Sequence, residues 1–227
     1  MLTPVIKHDW KLSPTQAVAL QRELAASVRE TKLQKVPALV AGADCAFCSG
    51  GDEIIAGWVV WDVKRQKLVE EVVAVERTTF PYIPGLLSFR EIPAMLSSVA
   101  KLAVRPDVLM FDGQGRAHPR RFGIASHAGV LLDVPSIGCA KSRLCGTHKE
   151  PAASRGAHVA LMDDEEKIGR VLRTQQRLKP VFISVGHRIT LEGAVDVVMR
   201  CCTKYRLPEP TRLAHQLVTR EKSNHAP

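Results

Sequence analysis

Leu39–Phe47 reads LVAGADCAF, a run in which every residue except Asp44 is small or apolar. So short an apolar run, coming after the helix-breaking Pro37, reads as a buried strand. An unpaired carboxylate inside such a strand is costly, so Asp44 needs a cation, a cluster of donors or a metal. Downstream, the glycines of Ser49-Gly50-Gly51-Asp52 make a turn, and Ile54–Trp61 and Leu68–Val75 read as two further strands of an antiparallel meander. In the last of these Glu70 and Glu76 share a face with Val72 and Ala74, which puts the strand near a sheet edge. Val108–Phe111 is another buried strand, and it too ends on an acid, Asp112; Ser136–Ala140 and Val181–Ser184 follow. Upstream, Ser13-Pro14 supplies an N-cap and a first-turn proline to a helix that Leu20, Leu24 and Val28 carry to about Lys32. Further helices are expected from Ser88 or Phe89 to about Val104, with Glu91 in the first turn and Pro93 near the start, over Ile124–Leu132, near Asp164–Arg173 and over Leu191–Cys202. A short helix follows from Thr211, and the polar tail from Arg220 is expected to fray. Three strands followed by strands alternating with helices indicate one α/β domain over residues 1–227, a mixed central sheet flanked by helices.

Composition sets the bounds on function. With 45% hydrophobic and 24% charged residues among 227, the chain has the apolar material for a sizeable core, which excludes intrinsic disorder. No apolar run approaches the ~18 residues of a membrane span, and the N-terminal MLTPVIKHDWKLSP lacks the apolar core of an export signal. Six cysteines, two of them adjacent (Cys201 and Cys202), are too few for a disulfide scaffold, so reduced thiols in a cytoplasmic protein are expected. Lys and Arg number 32 against 23 Asp and Glu, a net charge of +9 that suits a partner carrying phosphates.

Asp44 and Asp112 both sit where ligands gather in open α/β sheets, toward the carboxyl ends of strands, and Glu91 lies near a helix start. Taken singly, an acid so placed is more often a structural hydrogen-bond acceptor. Together they form a set that repels itself unless cations neutralise it, and oxygen donors of this kind suit Mg²⁺ or Mn²⁺. The loop after Asp112 adds Arg116, His118, Arg120 and Arg121, and cations beside a carboxylate–metal site are what phosphodiester cleavage requires. Gly113 and Gly115 would let backbone approach a ligand closely. Lys141 and Arg143 follow the Ser136–Ala140 strand and emerge at the same sheet edge, or form a solvated turn. Cys45 and Cys48 have finger-like spacing, but Cys139 and Cys145 do not repeat it and no His pair completes a zinc set. His187, after Gly186, reads as a structural or phosphate-contacting residue.

Several motifs in register resemble the endonuclease V family: Val40-Ala41-Gly42-Ala43-Asp44; Pro81-Tyr82-Ile83-Pro84-Gly85 leading into Ser88-Phe89-Arg90-Glu91; Phe111-Asp112-Gly113-Gln114-Gly115 with His118-Pro119-Arg120-Arg121; Ile137-Gly138 with Lys141; Gly186-His187-Arg188; and Arg206–Arg212, RLPEPTR. The resemblance runs from about Leu33 to His215. It implies a ribonuclease H-like fold and an endonuclease that uses Mg²⁺, with Mn²⁺ able to substitute. The family's substrate is DNA containing deoxyinosine, the product of adenine deamination, and the cut falls at the second phosphodiester 3′ to the lesion. By this resemblance Asp44, Asp112 and Glu91 hold the metal, Lys141 is the active-site lysine, and His215 falls where members carry either His or Asp. Pro81, Tyr82, Ile83 and Pro84 form the wedge at the lesion. Gly85, Leu87, Gly113, His118, Ile124 and Leu144 fall on or near the pocket for the flipped hypoxanthine, with Arg116, Arg120 and Arg121 as phosphate contacts. A duplex base is out of reach until it is unstacked, and an aromatic wedge compensates for the lost stacking, so Tyr82 between two prolines fits that role. The expected partner is damaged DNA, double- or single-stranded, met by a monomer away from membranes. Two alternatives stand beside this reading: a ribonuclease H-like nuclease of inosine-containing RNA or branched nucleic acid, and a non-catalytic nucleic-acid binder.

Overall fold

The computed structural model describes residues 2–48 and 50–225; Ser49, the first residue of the expected turn, lies outside them. Among the described residues the chain orders as α1 (Pro14–Ala25), β1 (Leu39–Phe47), β2 (Glu53–Asp62), β3 (Lys67–Arg77), α2 (Leu87–Val99), β4 (Val108–Phe111), α3 (Ile124–Leu132), β5 (Ser136–Ala140), β6 (His158–Asp163), β7 (Glu166–Leu172), β8 (Val181–His187), α4 (Leu191–Cys201) and α5 (Glu209–Asn224). The strands make one mixed sheet in the order β3-β2-β1-β4-β5-β8-β7-β6. β1, β4 and β5 are parallel neighbours, and every other pairing is antiparallel. The early meander and the edge position of β3 are as the sequence predicts. On one face Trp58, Ile92, Met95 and Phe111 form a core between the sheet and α2 and α3, with the Trp58 indole donating to the Met95 carbonyl at 3.0 Å. On the other, Met110, Ile137 and Ile183 pack against Ala194 and Val198 of α4, while α5 lies across β1 and β2, burying Ala214 and Leu217 against Val59.

Several of these expectations are corrected. α1 stops at Ala25, not near Lys32, because the backbone beyond it is claimed from elsewhere: the Arg29 N–H donates to His187 Nδ1, and the Arg29 carbonyl accepts from the Arg188 N–H at 2.6 Å. α2 stops at Val99 rather than near Val104, since the N–H groups of Ala103 and Val104 donate to the Glu70 carboxylate of β3. Within α2, Glu91 lies past the first turn and Pro93 is internal, leaving the Phe89 carbonyl without its usual helical donor. The helix expected near Asp164–Arg173 is instead the β6–β7 hairpin, which turns at Asp164 in the left-handed region (φ 52°). Finally, α5 begins at Glu209 and continues through the tail expected to fray, with Arg220 paired to Glu71 at 2.7 Å.

Candidate active site

The parallel ladder brings the two aspartates together. Ala43 of β1 pairs with Phe111 of β4, so the next residue on each strand, Asp44 and Asp112, stands beside the other. Alternation turns both toward the α4–α5 layer. α5 lies close to β1 only because residue 42 is glycine: a Cβ there would come within 2.6 Å of the Thr211 nitrogen. That approach brings His215 over the strand, where its Nδ1–H donates to Asp44 Oδ2 at 2.8 Å, and the Asp44 Oδ1 accepts from the Cys45 N–H at 2.9 Å. Lys141, leaving β5, pairs with Asp112. α2 supplies Glu91 as the third carboxylate.

Burial pushes the Asp44 carboxyl above its ordinary value, and Asp112 pushes it further, against the pull of the His215 hydrogen bond. Glu91 is pushed up to about 8, first by burial and then by the charges of Asp44 and Asp112. It has no hydrogen-bond partner among the described residues. With Asp44 and Glu91 both raised in proton affinity by neighbouring carboxylates, and Glu91 unpartnered among the described residues, the three acids form an all-oxygen donor set that suits a hard divalent cation. Among the described residues no three His, Cys, Asp or Glu side chains close into a ready-made cage; Asp112 faces the Lys141 ammonium and Asp44 the His215 imidazole instead. The chemistry of the set fits a divalent metal.

Next to the acids lies a pocket of 410 Å³, within the ~300–1,000 Å³ span of small-molecule pockets. Its walls include all six residues expected there (Gly85, Leu87, Gly113, His118, Ile124 and Leu144), together with Asp112 and Lys141. Tyr82, Ile83 and Pro84 line its rim, and Tyr82 is 70% exposed; Pro81 is not part of the wall. The walls also include Gln21, Gln114 and Arg143. Gln114 stands within the Phe111–Gly115 motif, whereas Gln21 stands in none, and a glutamine on a helix gives no sequence signal of a site. A larger hollow of 650 Å³, under the opposite strand ends and bordered by Arg29, Lys32, Lys35 and Arg188, contains none of the expected residues.

His118 is buried in its neutral form. Its Nε2–H donates to the Gly85 carbonyl at 3.1 Å and its Nδ1 accepts from the Arg120 N–H at 3.1 Å; a carbonyl only accepts and an amide N–H only donates, which fixes the tautomer. Burial, with the charges of Arg120 and Arg121, pushes its pKa down to about 4. The three arginines expected at phosphates do not gather at the acids. Arg116 pairs with Glu166 at 2.7 Å, and Arg121 pairs with Glu166 and Asp163 at 2.7 and 2.8 Å, both reaching the β6–β7 hairpin. Arg120 donates to Gln21 and to the Gly85 carbonyl. Arg143, on the pocket wall beside Lys141, has no acid within ion-pair distance among the described residues. His187 also lies apart: it is buried, bonded to the Arg29 N–H and to Asp133, and therefore structural. All six cysteines are free.

A mixed sheet carrying paired acids on neighbouring parallel strands has the ribonuclease H-like architecture. The family model for endonuclease V matches residues 22–216, and the chain belongs to the endonuclease V family. An endonuclease V from a Nostoc species is 47% identical over 213 residues, covering 93% of this chain and 96% of its own. The crystal structure of endonuclease V from Streptomyces avermitilis superposes with a TM-score of 0.91 at 41% identity, covering 98% of each chain. Endonuclease V of Ciona intestinalis, solved in complex with a 24mer DNA containing an inosine followed by a ribo-adenosine, superposes at 0.80 with 25% identity, covering 92% of this chain and 98% of its own. No helix of the described residues is long and apolar enough to cross a membrane.

Proposed function

We propose that this chain is a DNA repair endonuclease that recognises deoxyinosine and hydrolyses the second phosphodiester 3′ to it, using Mg²⁺ or, in its place, Mn²⁺. The observation that carries this reading is one continuous surface: Asp112 and Lys141 belong both to the charged cluster and to the wall of the pocket that Tyr82 borders. A base reaching that pocket must leave its stack at a cost of about a few kcal/mol, and Tyr82, in a segment stiffened by prolines, replaces part of the lost stacking. Asp44, Glu91 and Asp112 would hold the cation. Once bound, the metal supplies Lewis-acid polarisation of the phosphate and a more acidic water. Lys141 keeps an ammonium at the same edge, where it stabilises charge developing on the phosphate. His215 holds the Asp44 carboxylate by its Nδ1–H and fixes which way it faces. Neutral His118 keeps the Gly85 carbonyl in place at the pocket wall, and its low pKa leaves that role unchanged at neutral pH. The chain would act as one domain and as a monomer in the cytoplasm.

The test uses matched DNA and RNA oligonucleotides carrying a single inosine, incubated with Mg²⁺ or Mn²⁺, with the cut mapped to the nucleotide. A nick at the second phosphodiester 3′ to inosine in DNA is expected. Cuts in RNA alone would transfer the specificity to inosine-containing RNA, and no cut with either metal would leave a nucleic-acid binder.

A further inference from the structure

Helix α1 lies outside the charged cluster, yet one of its side chains reaches the pocket wall. Gln21 is 1% exposed. Its Nε2 donates to the carbonyls of Gly85 and Phe122, each at 3.0 Å, and its Oε1 accepts from Arg120 Nε at 2.6 Å. The partners fix the amide's orientation, since carbonyls only accept and a guanidinium only donates. Both amide protons and the oxygen are therefore in use, and a single side chain joins α1, the irregular segment ending at Gly85 and the loop that follows Asp112. Around it, Ala17 and Leu20 of the same helix pack with Phe80, Ile83 and Leu86, which flank or belong to the Tyr82 segment. Gly85 sits at φ +79°, and a Cβ there would lie 2.7 Å from Arg120 Nη2. The height of its carbonyl is thus set by polar contacts from Gln21, His118 and Arg120.

We propose that Gln21 is a positioning residue for the base pocket: by holding the Gly85 and Phe122 carbonyls at fixed distances from Arg120, it sets the separation between the Tyr82 segment and the loop forming the opposite wall. This rests on the deoxyinosine reading above. Gln21 touches neither the acids nor the reacting phosphate, so its effect falls on recognition of the lesion and leaves general affinity for DNA alone.

Gln21→Glu tests this. The carboxylate keeps the length of the side chain and its contact with Arg120, but presents an oxygen where two carbonyls need a donor. In one Mg²⁺ reaction, KM for an inosine-containing duplex and Ki for the same duplex without inosine are measured together; neither depends on how much of the preparation is folded. KM is expected to rise at least fivefold while Ki stays within twofold of the parent value. Gln21→Met, which keeps the volume without the charge, replaces the first variant if that is too slow for a KM, and a threefold rise is expected. KM and Ki unchanged, or rising together, would overturn the positioning role. A parent protein that cuts no inosine-containing strand would instead overturn the functional reading, and this inference with it.

Discussion

Asp44 and Asp112 stand side by side through one register pairing, Ala43 with Phe111, and the whole candidate site depends on that pairing. Asp44→Asn or Asp112→Asn should lower cleavage by about 10²–10³-fold, since the loss of a carboxylate removes several kcal/mol of transition-state stabilisation. Binding to DNA should persist or tighten, because affinity comes from cations meeting phosphates and each change removes a negative charge. Single-turnover rates beside a binding titration check both halves, and near-normal turnover would remove that aspartate from the chemistry. Tyr82, at 70% exposure, has little core to support. Tyr82→Ala should therefore slow cleavage of duplex DNA at least about tenfold more than of single strands, where the base is already partly unstacked, with the melting temperature unmoved. Equal loss on both substrates with a fall in melting temperature would make Tyr82 a structural residue. These residues are legible in the sequence because each contradicts its surroundings: an acid in an apolar strand, an aromatic ring between prolines. Gln21 contradicts nothing around it, and only the folded chain reveals what it holds.

The elements divide by the same logic. β1, β4 and β5 are legible to the residue because their apolar runs end at polar or turn-forming positions. The ends of α1 and α2 are not, because acceptors distant in sequence, His187 and Glu70, take the N–H groups that would have extended or followed the helix. The β6–β7 hairpin is misread because Ile168, Val171 and Leu172 of β7 recur at i, i+3 and i+4, the spacing of an apolar helix face, behind the acids Asp164, Glu165 and Glu166. That hairpin then changes the reading of the basic loop, since it occupies Arg116 and Arg121 with Glu166 and Asp163. Arg143 on the pocket wall has no such acid partner among the described residues, so on the proposed reading it is the arginine left to meet a phosphate at the pocket mouth. Over roughly 50–200 mM salt, Arg143→Ala should reduce the slope of log affinity against log salt by about 1, as the loss of one phosphate contact does, while Arg116→Ala leaves the slope unchanged. Equal slopes for the parent and Arg143→Ala would show that Arg143 meets solvent and not DNA.

Across the whole molecule, a net charge of +9 should make any affinity for DNA steeply salt-dependent, while imidazoles buried in neutral form weaken the fold toward acid. Burial lowers the pKa of His118, His127 and His187 alike. The sign follows from counting protons. Between the ordinary His value of 6.5 and the folded His118 value of about 4, the unfolded chain binds a proton that the folded chain refuses, so stability falls as pH drops through that window and the loss is complete below it. The spacing of the two values corresponds to about 3 kcal/mol at full effect. In the metal-free protein Glu91, at about 8, works in the opposite direction, so variant and parent must be compared under identical conditions. Protonating His118 would also cost the bond from the Arg120 N–H, since Nδ1 could no longer accept. His118→Asn removes this titration without introducing a charge. It should therefore be less stable than the parent at pH 7, where two hydrogen bonds are weakened, and should lose less stability on acidification. Urea midpoints at pH 7, 5.5 and 4.5 measure this: the two curves should converge as pH falls, and parallel curves would mean that His118 takes up its proton at the same pH in the folded as in the unfolded chain.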